Sequence, residues 1–250
     1  MRFAAGVCIG YVLLIAAAEA TFAFAAPLGG TVIHVLLLIV LPVHAAFVGE
    51  TRRPFLVSLA LVPLLRVVSV ALPLASLPLD GWHALAGVPL FIAAFRVIRV
   101  LGLRPREIGL TLDDLPLQLA IGVSGLALAA WQQTLNPVAL LPPAPRADPL
   151  TLVVIYLVFV GLLEELMFRG ILQATSRRAL GPVGPWLVSV VFALLHIGNG
   201  SFVDVLFALA VGVAFSWLVW RTGSIVGVSL AHGLAAVATY LPVDVTILGS

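Results

Sequence analysis

The chain has 250 residues, 62% hydrophobic and 10% charged, with a mean hydropathy of +1.20. A soluble domain carries about 25% charged residues, so the composition excludes a water-soluble globular protein and implies an all-α, polytopic membrane helix bundle. The net charge of +2 comes from arginine alone, too sparse for a nucleic-acid surface, and the single cysteine, Cys8, excludes a disulfide framework or a cysteine-based metal site.

A membrane-spanning helix needs about 20 mostly apolar residues. Nine stretches qualify, with eight as the alternative count: 3–26, 31–49, 55–77, 83–101, 116–135, 150–178, 184–200, 202–220 and 224–241. Segments rich in Gly, Pro and charge separate them. The first stretch imitates a signal peptide, with Arg2, an apolar run from Phe3 to Ala18 and a small-residue site at Ala23–Ala25. It is read here as a retained span, because Glu19 interrupts the run and the run is long enough to cross. Residues 1–115 form N-terminal helices without an assigned role, and 116–250 form the core expected to carry chemistry. The last three spans are short enough to tilt or re-enter.

Arginine placement sets the orientation. With the N-terminus in the cytoplasm, Arg2, Arg52, Arg53, Arg96, Arg99, Arg104, Arg106, Arg169, Arg177, Arg178 and Arg221 fall at or near the cytoplasmic side. Arg146 falls in an external loop and Arg66 within the third span. This asymmetry follows the positive-inside rule.

The sixth span contains "GLLEELMFRGILQ". Its apolar run from Leu150 to Leu163 covers about 21 Å at 1.5 Å per residue, short of the roughly 30 Å hydrocarbon core. The helix must continue through Glu164 and Glu165 before it reaches water. Intramembrane carboxyls are expensive and mark functional sites. Glu165 and Arg169, four apart, can neutralise each other, and Arg169 can snorkel to the headgroups. Glu164 projects about 100° away and is left unexplained by that pair.

The next helix carries "FALLHIGNG", with Phe192 and His196 four apart. Glu164 and His196 are equidistant from Leu180, in the turn between the two helices. An antiparallel hairpin therefore places them at equal depth. His232, in "SLAHGLAAVATY", lies about 15 Å past the turn at Thr222–Gly223, again near mid-membrane. His34 and His44 read as packed helix residues.

Carboxylate and imidazole together support acid–base work on water or stabilisation of an oxyanion. Two His and one Glu are also a ligand set for catalytic zinc, here His196, His232 and Glu164. The HExxH pattern of soluble zinc proteases is absent.

The series "EELMFR" (Glu164, Glu165, Arg169), "FALLH" (Phe192, His196) and a later intramembrane His232 resembles the EExxxR, FxxxH and HxxxN motifs of the CAAX-protease and bacteriocin-processing family, also called the Abi family. The resemblance covers about 150–241. It implies an intramembrane endopeptidase in which Glu164 activates the attacking water, Glu165 supports it through Arg169, and His196 and His232 position water, oxyanion or metal. It leaves the cofactor open between Zn2+ and a metal-free glutamate mechanism. It implies a membrane-lipid setting, a bacterial cell membrane, and a peptide or membrane-protein substrate, prenylated or a bacteriocin precursor. The chain departs from the pattern at Ala236, where the family has Asn. Asn199 is the candidate substitute.

Two competing readings have their own tests. "GVSG", Gly122–Gly125, matches the GxSG of rhomboid-type serine proteases, with His232 as base, but the His- and Asn-bearing segment follows it here rather than preceding it. A transporter or non-catalytic scaffold could also use the Glu/His cluster as a proton relay or packing network.

Overall fold

A computed structural model describes residues 2–71, 79–135 and 148–240. Arg146, the end of the third expected span and the residues after Tyr240 lie outside the described residues. The described chain is a bundle of helices with no strand. The N-terminal part comprises α1 (Arg2–Phe24), α2 (Pro27–Phe47), α3 (Arg53–Leu59), α4 (Leu61–Ala71) and α5 (Leu79–Leu101). After α6 (Leu115–Leu135), a long rod runs through α7 (Pro149–Ile155), α8 (Leu163–Glu165) and α9 (Gln173–Leu180). Then follow α10 (Gly184–Leu194), α11 (Phe202–Thr222) and α12 (Val226–Tyr240).

Seven stretches are long and apolar enough to cross a membrane, and α12 is a shorter apolar helix. One of the seven, Pro149–Asn199, spans 51 residues and folds back on itself after Leu180. Dividing it there and adding α12 gives nine apolar rods among the described residues, matching the expected spans. Helices suit this setting because each satisfies its own backbone groups without water. Their ends follow local chemistry. Asp148 caps α7 by accepting from the Thr151 N–H at 3.1 Å, and Ser201 caps α11 by accepting from the Asp204 N–H at 3.2 Å. The outer faces are apolar, as on α2 at Leu36, Ile39 and Val43.

The arginine-bearing turns gather at one end. Ile225 N–H donates to the Gly109 carbonyl at 2.9 Å. Ser224 Oγ donates to the Thr111 carbonyl at 2.7 Å, and Arg178 Nη2 to Glu107 Oε1 at 2.7 Å. Arg52 and Leu180 border one small cavity at the same end. A continuous buried apolar cluster runs from Cys8 on α1 to Ala231 on α12, so the N-terminal helices and the later ones share a core.

Of the two expectations for Arg169, the pair with Glu165 is made and snorkelling is not: the residue is 2% exposed, in the bundle interior. The ion pair with Glu165 and the three aromatic rings around it hold it there, as described below.

Candidate active site

The long rod is not a regular α-helix. It widens to π-type hydrogen bonding over Tyr156–Leu162 and again over Leu166–Leu172, leaving α8 between the two. Such widening often occurs at functional sites, and here it brackets both glutamates.

Small residues then bring α12 against the rod. A Cβ on Gly161 would collide with the Ser229 carbonyl oxygen, and one on Gly233 would sit 2.8 Å from Leu157 Cα. Only glycine permits such backbone approach, the usual means of close packing between membrane helices. The approach places His232 beside Glu165.

The hairpin register matches its expectation. Phe168 and Phe192, each twelve residues from Leu180, meet edge to face at 5.2 Å. Four residues either side of the same apex, Gly184 packs on the Ser176 backbone. Farther from the apex, Glu164 and His196 border one cavity.

Glu165 is the hub beneath that cavity. Its side chain is fully buried, and its Oε1 accepts from Arg169 Nη1 at 3.0 Å and from His232 Nδ1 at 2.9 Å. The Arg169 guanidinium also faces three rings, with Cζ 4.2 Å from the Phe192 centroid, 5.7 Å from Phe215 and 5.9 Å from Phe168. Each desolvated cation–π contact contributes up to about 2 kcal/mol. Phe192 therefore acts mainly through packing: it stacks on Arg169 and contacts both histidine rings, at 4.9 Å for His196 and 6.1 Å for His232.

The protons on the histidines follow from their partners. The Phe192 carbonyl can only accept, so His196 Nδ1, 3.0 Å away, carries the proton. A carboxylate paired with arginine also accepts, so His232 Nδ1 donates to Glu165. In both rings Nε2 is left for the cavity.

The cavity holds about 220 Å³ and is bordered by Glu164, His196, His232, Asn199, Gln132 and Asp204. Ala236 borders it as well, in the same cavity as Asn199. A smaller space of about 50 Å³ lies on the α5 side of Glu164, next to His83. The larger cavity extends toward Gln132 near the end of α6 and Tyr240 at the end of α12, away from the arginine-bearing turns.

Metal binding has a partial fit. The two Nδ1–H donors leave Nε2 on each imidazole as a possible ligand atom, and histidine ligands commonly have their second nitrogen held this way. Yet among the described residues no three His, Cys, Asp or Glu side chains are grouped closely enough to ligate one ion. As arranged, the set is not a metal centre, and no chemical step is assigned to one.

Ser124 lies elsewhere. It is exposed on α6, donates to the Ile121 carbonyl of its own helix at 2.6 Å and does not border the cavity, which argues against the rhomboid-type reading. His44 is held by Tyr11 at 2.7 Å, consistent with a packed role. His34 is likewise buried, with its Nε2 3.1 Å from Glu19 Oε1. Sequence reading also left Glu19 and Arg66 unpaired, whereas Arg66 Nε donates to Glu19 Oε1 at 2.9 Å. Two intramembrane charges of opposite sign were the available signal.

Residues 146–238 match the family model of the type II CAAX prenyl endopeptidases, Rce1-like. This is consistent with the CAAX-protease and bacteriocin-processing resemblance over the same segment. No curated protein matches the chain, and no solved structure does.

Proposed function

We propose that this membrane protein, carrying an Rce1-like match over 146–238, hydrolyses a peptide bond with water activated by Glu164. The observation that carries the reading is the shared cavity of Glu164, His196 and His232, with Glu165 locked beneath it. One imidazole Nε2 accepts a hydrogen bond from the water, whose other hydrogen points to the Glu164 carboxylate. Glu164 takes that proton as the oxygen attacks the scissile carbonyl. The Asn199 amide is a donor suited to the developing oxyanion. Glu164 then returns the proton to the leaving amine. Glu165, paired with Arg169, fixes the His232 ring.

The site is in the membrane, so the substrate presents an extended segment there: a prenylated C-terminal peptide or a bacteriocin precursor, in a bacterial cell membrane. A metal-dependent variant of the reaction would use His196, His232 and Glu164 to hold Zn2+, after a rearrangement that brings the three together.

Purified protein in detergent is assayed against farnesylated and unmodified peptides. Cleavage is expected to fall by a factor on the order of 10²–10⁴ in Glu164→Gln, with the melting temperature unchanged. Equal cleavage by both proteins would overturn the proposal. A second reading, a proton relay, draws on Glu164 bordering both cavities. Proton flux in proteoliposomes that stops in Glu164→Gln, without any cleavage by the parent protein, would favour it.

A further inference from the structure

The N-terminal helices hold a buried ionic cluster outside the cavity. Glu19 on α1 is fully buried. Arg66 on α4 reaches it through two hydrogen bonds, Nε to Oε1 at 2.9 Å and Nη2 to Oε2 at 2.6 Å. The Phe22 ring lies 5.1 Å from the guanidinium carbon, and His34 on α2 completes the cluster. Placing these groups in a membrane interior is expensive, and the proposed chemistry does not use them directly.

One contact explains their position. Arg66 Nη2 also donates to the Leu195 carbonyl at 2.8 Å. Leu195 begins the 3-10 turn Leu195–Asn199, which carries His196 and Asn199 to the cavity. That turn is where α10 stops being α-helical, so its carbonyls need donors from elsewhere. α1 packs directly on the turn. The guanidinium also meets the turn at Gly198, where an added Cβ would lie 2.9 Å from Arg66 Nη2.

We infer that Glu19 and Arg66 are positioning residues for the active site: the carboxylate aims the guanidinium, and the guanidinium pins the turn that presents His196 and Asn199. The helices without an assigned role in the sequence thus complete the site from behind. Arginine suits the task because its planar fork serves three acceptors at once. A lysine retains the charge but not that geometry. The inference rests on the proposed hydrolysis for its kinetic consequence, and not for its structural one.

The test uses full-length protein with ¹⁵N-labelled histidine, comparing the parent with Arg66→Lys and Glu19→Asp. Both variants keep the charge pair. His196→Gln and His232→Gln assign the two ring signals. In both charge-pair variants the His196 imidazole resonances are expected to shift while those of His232 stay in place. The kcat for peptide cleavage is expected to fall at least tenfold with KM within twofold. His196 resonances identical to the parent in both variants would overturn the inference, whatever the activity. A shift in His196 with a parent protein that cleaves no peptide would leave the positioning role standing and remove the endopeptidase reading.

Discussion

His232 Nδ1 meets Glu165 Oε1 at 2.9 Å, joining residues 67 positions apart in the chain. The same oxygen receives Arg169, so one carboxylate holds a cation and an imidazole together. The two adjacent glutamates are therefore placed differently: Glu165 is paired with Arg169 and His232, while Glu164 borders the cavity.

That division predicts different consequences for the same substitution. Glu165→Gln leaves the Arg169 charge buried without its partner, which costs about 3–5 kcal/mol for a broken interior pair. It is expected to lower the melting temperature and the cleavage rate together. Glu164→Gln should lower the rate alone. Thermal unfolding in detergent, read beside peptide cleavage, separates the two; equal melting temperatures for both variants would contradict the assignment.

Close packing of α12 is the second point of attack. Gly161→Ala places a Cβ against the Ser229 carbonyl. Overpacking of this kind costs about 1–3 kcal/mol, and relief requires α12 to move away with His232. Activity is expected to drop more than tenfold, whereas an alanine at the lipid-facing position Val123, which is exposed, leaves it unchanged. Full activity in Gly161→Ala would show that the interhelical approach is not needed.

Metal dependence has a direct readout. Because no three donors are grouped in the described residues, cleavage is expected to persist in excess EDTA and 1,10-phenanthroline. Loss of activity with chelator, restored by Zn2+ in the parent but not in His196→Gln, would replace the glutamate mechanism by a zinc one.

Access to the site should follow the arginines. The positive-inside rule puts the arginine-bearing turns in the cytoplasm, and the cavity extends toward the opposite helix ends. Asn199→Cys in a Cys8→Ser background, expressed in cells, is expected to react with a membrane-impermeant maleimide added from outside. Reaction from the cytoplasmic side only would reverse the orientation.

At the end that carries the arginine-bearing turns, Glu107 offers a pH test outside the spans. The Arg104 backbone N–H, followed by the Arg178 guanidinium, holds its carboxyl below the usual carboxylate range. A depressed folded value adds stability above the unfolded value near pH 4.3, and that stability disappears as pH falls through the folded value. Both partners are substantially exposed, at 45% and 36%, so solvent screening limits the gain to about 0.5 kcal/mol. Glu107→Gln should melt slightly lower at pH 7 and converge on the parent at acidic pH. A gap that widened with acidity would refute the sign.

The sequence by itself determined the membrane class, the nine rods and the meeting of Glu164 with His196 across one hairpin. The first two follow from apolar run lengths, and the third from equal distances to the turn at Leu180, which bring both residues to one cavity. It did not determine direction around each helix. For Arg169 the spacing offered both a pair with Glu165 and a reach for the headgroups; the pair is made, and three phenyl rings surround the guanidinium. The partnership of Glu165 with His232 depends on backbone approach at Gly161 and Gly233, which no spacing reveals. Glu19 and Arg66 stood in plain view as interruptions of apolar runs, yet their pairing and their hold on Leu195 require α1, α4 and the end of α10 to meet. Spacing along one helix or one hairpin is fixed by local geometry, whereas facing between helices is decided by packing over the whole bundle.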